Sequence, residues 1–240
     1  LEAGAGRSGL AGYFRREGFR DEVFLHAQDV TKANEEWLND EFDAATVGDA
    51  AEVKGEFDIV LSSYVLEHVT KPQEFLDNLW RRVAPGGSLF LVCPRYDVPF
   101  YLSRSADHLN WLRRVVVALS VSMRRLRTFL SGRPAWLVHG DPAVFHLPFF
   151  RDRDAVHWVS WFDLRAYWPD VQPLLLDYKG LREAIRIRCL TVAFRRDKAA
   201  RQHTAQGERQ TGGGGPRKQE TGDRTAEGRY RRPEVSRSVA

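Results

Sequence analysis

Short apolar segments alternate with amphipathic stretches over residues 1–94. In the amphipathic stretches apolar residues recur every three or four positions, which indicates one face of a helix, whereas the short apolar runs are typical of buried strands. The pattern predicts helices at 34–42 and 72–83 and strands at 22–27, 57–62 and 88–93. Strands that alternate with helices predict an α/β fold with a mostly parallel sheet and helices on both faces.

Residues 95–150 interrupt this alternation. A stretch at 110–130 is apolar in its middle and basic towards its ends, and it predicts a long helix. The following residues, 133–150, are rich in proline and aromatic side chains, so we expect an irregular lid. The alternation then resumes with a predicted helix at 160–167 and a predicted strand at 184–194.

The composition is that of an ordinary soluble globular protein, with 240 residues, 43% hydrophobic and 28% charged. Two cysteines, Cys93 and Cys189, are too few for a disulfide framework and favour a reducing, cytoplasmic setting. No apolar run approaches the roughly 20 residues of a membrane span. The first residue, Leu1, already belongs to a motif, so we expect that an upstream segment is missing.

The net charge of +4 is concentrated at the C-terminal end. Residues 195–240 contain 12 Lys/Arg and 6 Asp/Glu, which leaves the preceding residues slightly acidic. Residues 198–240 are polar and contain a run of four glycines, so we expect a disordered basic tail. No nucleic acid is therefore expected to bind the folded part.

Two features near the N-terminus predict a ligand site. Residues 4–9, with the sequence GAGRSG, match the GxGxxG pattern, in which glycines allow a tight turn and the close approach of a ligand. Asp29 follows the second apolar run, 23 residues after Gly6, where a carboxylate can accept both ribose hydroxyls. The same features also fit a dinucleotide-binding oxidoreductase, or a plain turn and a helix N-cap.

Motifs further along the chain separate these alternatives. The series LEAGAG (1–6), VGDA (47–50), FDIVLSSYVLEHV (57–69) and RVAPGGSL (82–89) resembles class I S-adenosylmethionine-dependent methyltransferases, a family that includes the ubiquinone-biosynthesis O-methyltransferases. LEHV and PGG argue against an oxidoreductase. The resemblance implies a Rossmann-like methyltransferase fold with a lid insertion and S-adenosylmethionine as the cofactor.

The resemblance also assigns residues and regions. It implies that Glu2, Gly4 and Gly6 face the amino acid half of the cofactor, Asp29 the ribose, Asp49 and Ala50 the adenine, and Ser63 the sulfonium. It divides the chain into a methyltransferase domain, 1–197, and the tail, 198–240. Within the domain we expect a cofactor-binding half, a lid or acceptor-binding insertion and the remainder of the sheet, at 1–94, 95–150 and 151–197.

Two positions depart from the family pattern. Ser8 stands where many relatives place a third glycine, and Tyr64 replaces a carboxylate that ubiquinone-type enzymes place three residues before Glu67. That carboxylate pattern is linked to a metal in those enzymes, so no metal is expected here.

Two histidines are candidates for catalysis. His157 lies in a segment that precedes a helix flanking the acceptor pocket in relatives, and an imidazole can take a proton from an acceptor hydroxyl. Asp154 would orient it or cap the following turn. His68 follows Glu67 and is either catalytic or structural. Each histidine could equally be a hydrogen-bonded structural residue.

The predicted function is methyl transfer to a small-molecule, glycan or lipid-linked acceptor, with oxygen as the expected acceptor atom. That acceptor class rests on analogy rather than on residues. A non-catalytic, methyltransferase-like interaction module is the first alternative. The basic amphipathic stretch at 110–130 predicts a lid packed on the core or, alternatively, a helix that contacts a membrane peripherally.

Overall fold

The computed structural model describes residues 1–103, 106–139, 155–174 and 190–200. Seven strands in this part of the chain form one sheet: β1 (Glu2–Ala3), β2 (His26–Asp29), β3 (Ala44–Val47), β4 (Phe57–Ser63), β5 (Val83–Pro94), β6 (Gln172–Pro173) and β7 (Thr191–Asp197). The α-helices of the same residues are α1 (Leu10–Arg16), α2 (Glu35–Glu41), α3 (Pro72–Arg82), α4 (Trp111–Ser131) and α5 (Trp161–Tyr167).

The sheet is wound outwards from β1. Its strand order is β3-β2-β1-β4-β5-β7-β6, with β1 to β5 parallel and β7 antiparallel to both of its neighbours. The chain proceeds from β1 to β2 and β3 on one side, then returns to β4 and β5 on the other. Because such crossovers are right-handed, α1 and α2 lie on one face and α3 on the opposite face. The predicted α/β fold with a mostly parallel sheet is confirmed.

The predicted helices agree with the structure to within one residue at each end, because their ends carry local signals. The Asn110 side chain accepts a hydrogen bond from the Arg113 amide at 3.0 Å and begins α4, and Gly132 ends it in the left-handed conformation with φ 63°. The Ser160 hydroxyl accepts from the Phe162 amide at 3.1 Å and begins α5. Pro72 occupies the first turn of α3.

The strands differ more from their predicted bounds. The segment predicted at 22–27 forms a strand only from His26, because the Leu25 amide donates to the Asp43 carboxylate at 2.7 Å and parallel pairing begins with His26 and Ala44. A strand is predicted at 88–93, after the proline and glycines at 85–87. Instead β5 begins at Val83, which pairs with Phe57 before the register shifts. Residues 184–189 lie outside the described residues.

The core lies between the sheet and its helices. Its largest group of buried side chains joins the sheet to α3 and α5 and includes Val60, Leu76, Leu79, Leu89, Leu164 and Phe194. A separate buried group joins β2 to α1 and α2 through Ala11, Ala27 and Leu38. No helix of the described residues is long and apolar enough to cross a membrane.

A buried ion pair holds α4 against α5. The guanidinium of Arg125 donates to the carboxylate of Asp163 and to the carbonyl of Trp158, and both charged side chains are buried. Asp163 also accepts from the Thr128 hydroxyl at 3.2 Å and from the Ala135 amide at 2.8 Å. One carboxylate therefore connects α4, the segment after it and α5.

We expect Asp163→Asn to lower the free energy of unfolding by about 3–5 kcal/mol, because it leaves the Arg125 charge buried without its main partner. Urea unfolding followed by circular dichroism measures this loss. The matched control is Glu74→Gln, which breaks the exposed Lys71–Glu74 pair (2.9 Å) and should cost less than about 1 kcal/mol. Equal losses in the two variants would contradict the central role of the buried pair.

Candidate cofactor-binding site

Four strands end at one edge of the sheet. The register pairs Ala3 of β1 with Gln28 of β2 and with Ser62 of β4, and it pairs Asp29 with Val47 of β3. The residues that follow these strands therefore meet at one edge. Ligands of open α/β sheets bind outside the carboxyl ends of the strands, which makes this edge the candidate site.

The loop after β1 depends on two glycines for different reasons. Both Gly4 (φ 69°) and Gly6 (φ 53°) have left-handed backbone conformations. A Cβ on Gly4 would lie 2.2 Å from Cγ2 of Val65, so Gly4 is required where the loop packs on the segment after β4. A Cβ on Gly6 would meet only the Asp29 carboxylate, at 3.9 Å, so there is open space on that side of the loop.

The carboxylate of Asp29 fixes the backbone on both sides of the site. Its Oδ2 accepts from the Gly6 amide at 2.6 Å and its Oδ1 accepts from the Thr31 amide at 2.6 Å. Asp29 is buried, at the end of β2. Because each carboxylate oxygen has a second lone pair, the side chain retains capacity to accept a hydroxyl hydrogen bond.

The neighbouring Gln28 also belongs to the site, although the sequence interpretation missed it. Its buried amide oxygen accepts from the Gly4 amide at 3.1 Å, and its amide nitrogen donates to the Gly48 carbonyl at 2.6 Å. Gln28 thus connects the loop after β1 to the loop after β3. The available signal was its position directly before Asp29, at the carboxyl end of the strand.

Asp49 and Ala50 follow Gly48 at the end of β3. The Asp49 carboxylate accepts from the Ala51 amide at 2.8 Å, and the Asp49 amide donates to the Glu52 carboxylate at 3.0 Å. This reciprocal cap begins the short 3-10 helix Ala50–Glu52. Asp49 is exposed and Ala50 is buried, so the carboxylate lies on the solvent side of the loop.

Glu2 lies beneath the glycine loop. Its carboxylate accepts a hydrogen bond from the Ser8 hydroxyl at 2.7 Å. Burial raises the pKa of Glu2, and the Ser8 hydrogen bond opposes that rise. Ser8, which departs from the family pattern, therefore holds the side chain that the pattern assigns to the cofactor site.

Ser63 ends β4, at the edge where Gly4 begins its loop. The next residue, Tyr64, is exposed and has a left-handed backbone conformation (φ 56°) that a bulky side chain rarely adopts. Its amide donates to the Val92 carbonyl at 2.7 Å, which fixes this conformation. Such local strain is often found at ligand sites.

Of the two candidate histidines, His68 belongs to the segment after β4, and His157 packs against the backbone of that segment. His157 is fully buried, and its Nδ1 lies 3.0 Å from the Leu66 carbonyl oxygen. Burial lowers the pKa of His157 to about 4, so its imidazole is neutral at neutral pH. His68 is partly exposed, with Nε2 4.0 Å from the Glu67 carboxylate.

The structure brings most predicted cofactor residues together and leaves the histidines apart. Direct hydrogen bonds join Gly6 to Asp29, and Gln28 joins Gly4 to the loop that carries Asp49. The backbone amide of His157 instead donates to the Glu67 carbonyl at 2.8 Å. The catalytic roles of His157 and His68 stay predictions, and Asp154 lies outside the described residues.

Comparison with known proteins identifies the family. Residues 1–166 match the model of a family described as "Methyltransferase domain", and the chain belongs to that family. S-adenosylmethionine is the cofactor of this family.

The individual relatives have low sequence identity to this chain. A probable chloroplastic tocopherol O-methyltransferase from Oryza sativa subsp. japonica is 29% identical over 160 residues, which are 64% of this chain and 40% of that protein. The chain therefore matches less than half the length of this relative.

Two solved structures resemble the chain at low identity. A methyltransferase from Archaeoglobus fulgidus matches with a TM-score of 0.46 and 14% identity over 82% of this chain and 85% of its own. The magnesium protoporphyrin IX methyltransferase of Synechocystis matches with a TM-score of 0.43 and 13% identity over 82% and 73%.

The residues at the sheet edge fit S-adenosylmethionine. The cofactor has a cationic sulfonium and an ammonium group, and the site contains the carboxylates of Glu2, Asp29 and Asp49. The open space beside Gly6 would admit a ligand against the loop backbone. Since the cofactor has no phosphate, the site does not need a basic residue to bind one.

We expect Gly4→Ala to destabilise the protein more than Gly6→Ala does. Both variants impose a left-handed conformation on alanine, at about 1–2 kcal/mol, but only Gly4→Ala clashes with Val65, at about 1–3 kcal/mol more. Thermal and urea unfolding measure the difference. Adding Val65→Ala should recover part of the Gly4→Ala loss, and no recovery would contradict the packing argument.

We expect stability to fall as the pH is lowered from about 6.5 towards 4, in part through His157. Because its folded pKa of about 4 lies below the unfolded value, the unfolded state binds the proton first in this interval. The free energy of unfolding should fall by roughly 2–3 kcal/mol more in the wild type than in His157→Asn. Urea unfolding at pH 7 and pH 4 tests this, and parallel pH dependences would refute it.

Proposed function

We propose that the protein transfers the methyl group of S-adenosylmethionine to a small-molecule acceptor, with oxygen as the accepting atom. The observation that supports it best is the glycine loop held by Asp29 and Gln28 beside open space at the sheet edge. Membership of the methyltransferase family supports the reaction class. The name of the rice relative, an O-methyltransferase, supports oxygen as the acceptor atom.

The chain's own residues hold the cofactor and position the reaction. Asp29 would accept hydrogen bonds from the ribose, Asp49 would accept from the exocyclic amine of the adenine, and Glu2 would face the amino acid half. The bound cofactor supplies a methyl group that is already activated by the positive charge on sulfur. The protein then contributes mainly alignment and the exclusion of water.

Proton removal is needed only where the acceptor is not already ionised. His68 and His157 are the proposed bases: His68 lies in the segment after β4, and His157 packs against the backbone of that segment. His68 is partly exposed, whereas the neutral ring of His157 is buried against the Leu66 carbonyl.

Besides small molecules, glycans and lipid-linked compounds are proposed acceptor classes. The cytoplasm is the proposed location.

A non-catalytic methyltransferase-like interaction module is the second candidate. The observation that favours it is that both carboxylate oxygens of Asp29 already accept backbone hydrogen bonds. In such a module Asp29 would serve only to order the two loops, and cofactor binding would not depend on it.

We expect Asp29→Ala to weaken S-adenosylhomocysteine binding by about 1–3 kcal/mol, or about 5- to 150-fold in Kd, since the ribose hydroxyls lose their acceptor. Isothermal titration calorimetry measures this change. Asp40→Ala, an exposed carboxylate on α2, is the matched control and should bind as the wild type does. Melting curves of both variants show whether the fold is kept.

Two results would overturn the proposal. One is tight binding of NAD without binding of S-adenosylhomocysteine, which would indicate an oxidoreductase. The other is S-adenosylhomocysteine binding that Asp29→Ala leaves unchanged, which would favour the interaction module. A screen of candidate acceptors with methyl-labelled cofactor then identifies the acceptor, because label appears only in a compound that the protein methylates.

A further inference from the structure

Helix α4 is anchored to the domain along one face. Its buried residues, Ala118, Val121, Arg125 and Thr128, recur at the spacing of a single helical face. Arg125 and Thr128 bind Asp163 of α5, and Val121 packs in the cluster that contains Trp158. The orientation of the helix relative to the domain is therefore fixed.

Another face of α4 is apolar and exposed. Its residues alternate in steps of four and three and form one stripe along the helix: Leu112, Val116, Leu119, Met123, Leu126 and Leu130. Leu130 is 74% exposed, and Trp111 at the start of the helix is 71% exposed. The Ser122 hydroxyl, at the border of this stripe, donates to the Ala118 carbonyl at 2.8 Å, so its proton is already used within the helix.

The border of the apolar stripe is basic. Arg113, Arg124 and Arg127 are exposed and form no ion pair with the described residues. The helix contains no aspartate or glutamate. Of its exposed arginines, Arg114 alone forms an ion pair with the described residues, with Asp107 outside the helix at 3.4 Å. The surface of α4 therefore combines a long apolar stripe with positive charges that the described residues leave unpaired.

We propose that α4 docks on an anionic phospholipid surface. The helix lies in the plane of the membrane, with its apolar stripe among the acyl chains and Arg113, Arg124 and Arg127 at the phosphate groups. A helix of 21 residues is about 32 Å long, so the whole stripe can lie at the interface. Self-association through the same surface would bring two basic borders together, which disfavours a second copy as the occupant.

The test is flotation of the full chain with vesicles, without cofactor, so that it is independent of the proposed methyl transfer. We expect binding to phosphatidylcholine vesicles that contain about a third phosphatidylglycerol, and little binding to pure phosphatidylcholine. Arg124→Glu/Arg127→Glu should weaken binding at least about tenfold. Leu119→Asp should weaken it by a similar factor.

Matched controls separate α4 from the basic residues elsewhere in the chain. Arg16→Glu/Lys54→Glu changes the same charge, and Phe19→Asp changes an exposed apolar residue, both away from α4. These controls should bind vesicles nearly as well as the wild type. In addition, lipids brominated on their acyl chains should quench tryptophan fluorescence less in Trp111→Phe than in the wild type.

Three results would overturn the proposal. The full chain could fail to bind anionic vesicles. The α4 variants could bind as well as the wild type, which would assign binding to other basic residues. Light scattering could show a dimer that Leu119→Asp dissociates in a chain that does not bind vesicles, which would assign the stripe to a second copy.

Discussion

Two side chains at the end of β2 hold the candidate site together. The strand before the glycine loop, β1, has only two residues, so ladder hydrogen bonds alone fix little of the loop. Asp29 binds the Gly6 amide, and Gln28 binds both Gly4 and Gly48, so the loops after β1 and β3 share one buried support. A buried polar group is stabilising when its hydrogen bonds are satisfied, and here each bond also positions backbone at the proposed cofactor site.

A second buried polar group supports α4 in the same manner. Asp163 binds the guanidinium of Arg125 and the amide of Ala135, and so connects α4 and the residues after it to α5. Asp97 accepts from the Trp161 amide at 2.8 Å at the start of α5. Asp163 and Asp97 bind Arg125, and Asp163 also binds Thr128, so the polar side chains on the buried face of α4 are paired. The opposite face of the helix is available for other contacts.

The fold was more predictable from the sequence than the contacts were. The ends of the four predicted helices lie within a residue of those in the structure, since Asn110, Ser160 and Pro72 act on their own neighbours in the chain, whereas α1 was not predicted. Strand ends were less well located, because pairing partners such as Ala44 for His26 are distant in sequence. The same reason explains why Gln28 was missed and why the burial of His157 against Leu66 could not be foreseen: each depends on which loops meet in space.

The contact between Gly4 and Val65 has a consequence for how two ligands would influence each other. The methyl groups of Val65 fill the position of a side chain on Gly4, so the loop after β4 cannot move towards the glycine loop without displacing it. A ligand that shifts one loop therefore changes the free energy of the other. By linkage, whatever one ligand adds to the affinity of the second, the second adds equally to the first. The packing of Val65 on Gly4 therefore couples the two loops in both directions and by itself sets no order of binding.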